Sequence, residues 1–386
     1  MKMRKSLGNA TVAAQASHAI DPASGAVVPP IHPATTFARD KNYKLTQEKI
    51  QYSRDDNPTF AHAEKVIAQL EGGSEALLFS SGMAGVATIF RTLNEKDHIV
   101  APSKMYFGVV HWLKHFACKS KMGLTFYDPA KPESLERAIQ KNKTKIVWVE
   151  TPANPTWEIT DIRVAAELAH DAGAALAVDN TVSTPVFTRP LDLGADFVFH
   201  SASKYLNGHS DVVAGVLVTK DQNEIWEAVK WERHNAGSIL GPFEAWLLLR
   251  GLRTLFVRVH HSAKSALQIA KHFEKHPKLE RLLYPGLEAH PAHDIAKRQM
   301  TGGFSGMLSI LVNGGAKSAL EVAKHAEVFI PATSLGGVES LLEHRKSVEG
   351  PESQVPENLL RLSIGLEDVN DLIADLEQAL ERVTVS

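Results

Sequence analysis

The 386-residue chain is 44% apolar and 22% charged, ordinary proportions for a globular protein, and at roughly 150 residues per domain it is long enough for two. A net charge of −2 with no long basic run leaves no electrostatic footprint for nucleic acid, and apolar stretches such as AALAV (174–178) are too short to span a bilayer. The basic opening has no sustained apolar core, so no secretory signal is expected, and the single cysteine, Cys118, excludes an intramolecular disulfide and makes the cytoplasm the expected location.

Residues 1–55 read as irregular, with PPIHP (29–33) breaking any helix or central strand. A helix is expected after NPT (57–59), with Val66, Ile67 and Leu70 on one side and an end at Gly72–Gly73. Strands and helices then alternate: EALLFS, the helix MAGVATIFRTL, DHIVAP, the helix VVHWLKHFA, GLTFYD, the helix ESLERAIQ, KIVWVE, the helix VAAELAHDAG, AALAVDN, ADFVFH and VVAGVLVTK. Near-continuous apolar strands predict a parallel sheet covered on both faces, so 56–245 is read as a doubly wound α/β domain. Residues 242–273 predict one long helix or two joined ones, leading to a smaller C-terminal α+β domain (246–386) with the strand region GGFSGMLSILV and the closing helix DVNDLIADLEQALERV.

Three strand ends carry candidate chemistry, because open α/β sheets bind ligands beyond the carboxyl ends of their strands. FSSGMAG (79–85) is a small-residue turn entering a helix, where backbone N–H groups can approach an anion. AVDNT (177–181) sets Asp179 at the end of an apolar strand, either as a helix cap or as a partner for a protonated ring nitrogen. HSASKYLNGHSD (200–211) places Lys204 among hydroxyl residues after the strand ADFVFH. Such a lysine is either one more solvated cation or, if desolvated, an amine able to condense with a carbonyl. No G-x-G-x-x-G or Walker A pattern is present, which disfavours NAD and ATP. An anion cradle, an acid for a pyridinium and an amine for an aldehyde are together what pyridoxal 5′-phosphate requires.

The ordered run YSRDDNPT, SSGMAG, ETPANPT, VDNT, HSASKYLNGHSDVVAG, RGLRTL, SLGGVESL and LLRLSIGLED spans most of the chain. It resembles the fold-type-I pyridoxal-phosphate enzymes of cysteine and methionine metabolism: cystathionine γ-lyase, γ-synthase and β-lyase, and methionine γ-lyase. The resemblance implies a fold-type-I PLP transferase with a mostly parallel doubly wound sheet. It further implies that Lys204 carries the cofactor and acts as catalytic base, that Asp179 meets the pyridine nitrogen and that Tyr106 stacks on the ring and assists catalysis. By the same resemblance Gly82, Met83, Ser201 and Ser203 hold the phosphate. Tyr52 and Arg54 reach the phosphate of a neighbouring subunit, which implies an N-terminal arm (1–55) and a homodimer or homotetramer with shared active sites. Asn154, Ser334 and Arg361 surround the α-carboxylate of a small amino-acid substrate, a role that suits a bidentate arginine. The implied activity is elimination or replacement at Cγ or Cβ of a sulfur amino acid.

Two departures bear on specificity. Thr333 stands immediately before SLGG, where members that recognise the distal amino group of cystathionine often have glutamate. Gly108 stands near the place where methionine γ-lyases usually carry a cysteine. The stretch 343–357 is also shorter than in the resembled family and lacks its THAS-like segment; Glu343, His344 and Arg345 there are read as a solvated charge cluster. His111 and His115, spaced i, i+4, and His290 and His293 are read as ordinary histidines, and Cys118 as a small buried hydrophobe. Trp231 and His234 are not assigned a place.

Overall fold

The computed structural model describes residues 7–47 and 50–383. Seven strands form the larger sheet: β1 (Glu75–Phe79), β2 (His98–Pro102), β3 (Gly123–Tyr127), β4 (Thr144–Glu150), β5 (Ala175–Asp179), β6 (Phe197–Ser201) and β7 (Gly215–Thr219), in the order β1-β7-β6-β5-β4-β2-β3. All pairings from β3 through β6 are parallel, whereas β7 runs antiparallel to both β6 and β1. The sheet is therefore mostly parallel, as expected, with one reversed strand.

Both faces are apolar because successive residues point to opposite sides. Along β4, Val147 and Val149 enter one buried cluster with Val66, Leu70, Leu176 and Val178. Ile146 and Trp148 enter the other with Phe79, Ile99, Phe197 and Phe199. The helix Pro58–Glu71 begins where expected: Asn57 accepts a hydrogen bond from the Thr59 amide, and Gly72 ends the helix in the left-handed conformation.

The irregular opening contains one short helix, Asn9–Ala14, and the 242–273 region is two helices, Pro242–Leu252 and Leu255–Phe273. The division expected at 245/246 lies inside the first of these. The second joins two cores: Leu255, Val259 and Ala263 belong to the large-sheet cluster, while Ala266, Ile269 and Phe273 belong to the C-terminal one.

The C-terminal cluster fills the space under a five-stranded sheet of β8 (Leu279–Leu283), β9 (Met307–Val312), β10 (Ile330–Pro331), β11 (Leu341–His344) and β12 (Leu359–Ser363), in the order β10-β11-β12-β9-β8. The closing helix Val369–Glu381 contributes Leu372, Leu376 and Leu380 to it. No helix among the described residues is long and apolar enough to cross a membrane.

Candidate active site

The parallel strands β4, β5 and β6 bring the polar ends Glu150, Asp179 and Ser201 to one edge of the large sheet. Glu150 and Asp179 close β4 and β5 and are register partners, so two carboxyl groups stand side by side. Both are buried, 5% and 7% exposed. Each oxygen of Glu150 accepts one amide N–H, from Tyr106 and from Asn154, both at 2.8 Å. Burial and then the neighbouring Asp179 nevertheless push the Glu150 carboxyl up to about 8. Burial likewise raises Asp179, against the Thr181 amide and hydroxyl, which favour its anion.

Beside them, β1 and β6 flank β7 so that Phe79 and Ser201 both face Gly215. A side chain on Gly215 would reach within 2.3 Å of the Ser81 carbonyl, so glycine lets the turn lie against the strand. Ser81 caps the helix Gly82–Arg91, accepting from the Ala84 amide at 3.1 Å. A Cβ on Gly82 would sit 3.2 Å from the Ser201 hydroxyl, so glycine lets the first turn of this helix lie against the end of β6. A helix N-terminus at a strand end suits an anion. The Ser203 hydroxyl is already engaged, donating to the Ala214 carbonyl at 3.2 Å and accepting from its amide at 2.9 Å. It would serve an anion only by releasing that carbonyl.

Lys204 follows β6 and is half-buried. Its Nζ donates to the Ser334 hydroxyl at 2.8 Å. Burial, then the Arg361 charge, and to a lesser degree Arg345, pull the lysine down to about 8, with Glu343 opposing. Ser334 holds φ +127°, unusual for a residue with a side chain, and is locked from both sides: Lys204 takes its hydroxyl and the Arg361 Nη2 donates to its carbonyl at 2.7 Å. Arg361, 4% exposed on β12, also donates to Asn154 Oδ1 at 3.2 Å. Its Nε–H is buried without a partner.

Glu343 and Arg345 overturn one expectation, since the cluster is buried and not solvated. Glu343 and Arg361 are cross-strand partners on β11 and β12. Glu343 Oε2 accepts from Arg361 Nη2 at 2.6 Å and from Arg345 Nη1 at 2.7 Å. Arg345 Nη2 continues to Glu349 at 2.6 Å. Burial pushes Glu343 up, but Arg361, Arg345 and the nearby Thr333 hydroxyl outweigh it and hold the carboxyl below its ordinary range. His344 is also buried, bonded to Ser347 and to the Glu357 carbonyl. Glu343 and His344 turn inward because β11 carries them between β10 and β12.

Tyr106, 41% exposed, caps the helix Phe107–Lys119. A Cβ on Gly108 would come within 2.7 Å of its ring, so glycine there permits the ring's position. Thr333 is exposed beside Glu343. Tyr52 and Arg54 contact each other, with the guanidinium 5.3 Å from the ring centroid, and their segment meets the end of the helix Glu224–Ala236 through Asp55 and His234, 3.0 Å apart. That contact places His234; Trp231 on the same helix is exposed. Cys118 is exposed, not buried, because it falls on the outer face of its helix, as do His111 and His115. A cavity of about 880 Å³ adjoins the site through Phe107, Asn154 and Glu349 without including Lys204.

Sequence reasoning missed Glu150, Glu343, Arg345 and Glu349. Glu150 was within reach of it, since a carboxylate ending an apolar strand is the same signal as Asp179. A desolvated amine, a buried carboxyl, a helix N-terminus at the same sheet edge and a half-exposed phenol ring together fit pyridoxal phosphate.

The model of the Cys/Met metabolism PLP-dependent enzyme family matches residues 10–381. The cystathionine gamma-synthase of Mycobacterium tuberculosis is 43% identical over 379 residues, covering 97% of each chain. The cystathionine gamma-lyase of Dictyostelium discoideum is 41% identical, covering 95% of this chain and 96% of its own. The cystathionine beta-lyase of Coxiella burnetii is 40% identical, covering 93% and 94%. Among solved structures, metB of Corynebacterium glutamicum superposes with a TM-score of 0.94 at 40% identity, and the cystathionine gamma synthase of Xanthomonas oryzae pv. oryzae in complex with cystathionine with 0.93 at 37%; each comparison covers 98% of this chain and 99% of the other. With the family model spanning nearly every described residue, the chain belongs to the pyridoxal-phosphate-dependent enzymes of cysteine and methionine metabolism.

Proposed function

We propose that this enzyme makes or breaks a bond at Cγ of a sulfur amino acid or an activated homoserine, as a cystathionine γ-synthase or γ-lyase. The observation that carries the reading is the convergence of Lys204, Ser334, Arg361 and Asn154 in one hydrogen-bonded set, which Asn154 joins to Glu150, the strand partner of Asp179. Pyridoxal phosphate, when bound, supplies an electron sink for carbanion chemistry at the substrate. The Gly82 and Met83 amides and Ser201 would hold its phosphate, Asp179 its ring nitrogen and Tyr106 its ring face. Arg361 and Asn154 orient the substrate α-carboxylate through the N–H groups left free, which fixes the Cα–H bond relative to Lys204. The Lys204 amine, pulled down to about 8 by its desolvated setting and so about half neutral there, takes the Cα proton and can return one to the carbon chain, work typically worth ~10²–10⁴ in rate. Tyr106, open to the substrate side, serves the leaving group.

We further propose that Tyr52 and Arg54 complete a neighbouring subunit's phosphate site, which makes the working unit a homodimer or homotetramer in the cytoplasm. The exposure of Val27, Tyr43 and Tyr52 supports a partner covering this arm. Mixing Lys204→Ala with Arg54→Ala protein tests it: activity regained on mixing two inactive variants supports shared sites, and additive inactivity counts against them.

One observation favours a second reading, an O-acylhomoserine sulfhydrylase or methionine γ-lyase type. Thr333 carries no charge and the Glu343 charge is shared by two arginines on Oε2, so neither offers an uncompensated carboxylate to a distal ammonium, although Glu343 Oε1 has no partner. Incubation with L-cystathionine, and with O-acylhomoserine plus cysteine or sulfide, followed by mass spectrometry, decides between them. Cysteine with 2-oxobutyrate from cystathionine, or cystathionine from the acylhomoserine and cysteine, supports the first reading. Homocysteine with pyruvate moves the bond broken to Cβ, and activity with sulfide or methionine alone favours the second reading.

A further inference from the structure

We propose that Arg345 is a positioning residue for the substrate α-carboxylate: it sets the Arg361 guanidinium through Glu343 and ties that clamp to the Tyr106 side of the site through Phe107. The inference rests on the reading of Arg361 as the carboxylate-binding group.

Arg345 is 1% exposed. One arm of its fork shares Glu343 Oε2 with Arg361, the other holds Glu349 at 2.6 Å, and Glu349 in turn accepts from the Ser353 hydroxyl at 2.6 Å. Its guanidinium lies 5.5 Å from the Phe107 ring centroid, and Phe107 packs edge-on to Tyr106 at 5.1 Å. One side chain thus joins β11, the loop after residue 349 and the first turn of the helix that Tyr106 caps.

The charge count points the same way. Two arginines and two glutamates form a balanced set. Without Arg345, Glu343 and Glu349 would share one cation beside the place a carboxylate has to enter. Arg361 would then lose both its fixed orientation and part of its attraction for an anion. A lysine at 345 would keep the charge but could not span Glu343 and Glu349 with a planar fork, so it should not restore the geometry.

The test uses the holoenzyme and two ligands without a leaving group, L-norvaline and n-butylamine, which differ only in the α-carboxylate. Binding is read from the spectrum of the lysine-bound cofactor. Wild type should prefer norvaline strongly; no preference would remove Arg361 as the carboxylate site and with it the reading on which the inference stands. Arg345→Met should weaken norvaline on the order of 10²-fold and leave butylamine unchanged. Arg345→Lys should lose most of the same preference and carries the test if the methionine variant does not fold. In an Arg361→Ala background, Arg345→Met should add no further loss for norvaline. Equal weakening of both ligands, full rescue by lysine, or additive losses in the double variant would overturn the proposal.

Discussion

Glu343→Gln tests the buried character of the cluster most directly. The glutamate is 5% exposed and bonded to two guanidiniums that are 4% and 1% exposed, so the substitution leaves two cations close together without their shared anion. Removing one partner of a buried pair typically costs ~3–5 kcal/mol, whereas a solvated pair is worth ~0.2–1 kcal/mol. Urea denaturation of the loaded enzyme reads the difference as a lower midpoint at unchanged slope. The pH dependence supplies a second readout. The folded-state carboxyl is held below its ordinary 4.5, so its contribution is present above the unfolded value and lost as pH falls through the folded one. The gap between wild type and Glu343→Gln should therefore be widest at neutral pH and narrow on acidification below about 4.5. A loss under ~1 kcal/mol, insensitive to pH, would mean the cluster is solvated after all and would refute the reasoning.

Other outcomes follow from the same geometry. Lys204 should react with pyridoxal phosphate faster as pH rises towards about 8 and then level off, measured as the rate of colour development in cofactor-free protein; a profile still climbing above pH 10 would contradict its desolvation. Lys204→Ala should abolish both colour and turnover. Gly82→Val should weaken cofactor affinity with the fold retained, because even a Cβ at this position stands 3.2 Å from Ser201; equilibrium dialysis of the cofactor checks it, and undiminished affinity would exclude this helix start as the phosphate seat. Gly108→Cys should lower kcat by displacing the Tyr106 ring, and a variant with full activity would show that the ring's position is not set there. Cys118 should be alkylated rapidly in the native protein without loss of activity.

Much of the site was readable because its members close apolar strands. Lys204, Asp179 and the Gly82 turn each sit where a continuous apolar run gives way to small or polar residues, and the alternation of strand and helix implies that those ends share one edge. The helix at 58–71 was equally plain, since its cap, its apolar stripe and its stop glycine are local signals. Arg345 carried no such signal. Its neighbours in sequence are Glu343, His344, Lys346 and Ser347, and any local rule assigns such a stretch to solvent.

What the sequence by itself determined is the mostly parallel architecture and the choice of candidate reactive groups, because period, propensity and residue chemistry are properties of short stretches. Only the tertiary structure decided their electrostatics. Lys204 meets Ser334 across 130 residues, and Arg361 meets Asn154 across 207. Glu150 rises because the fold buries it and then sets Asp179 beside it as strand partner, and Glu343 falls because β12 brings Arg361 opposite it. Desolvation and charge pairing depend on which surfaces the fold brings together, and a group's position in the chain does not carry that information.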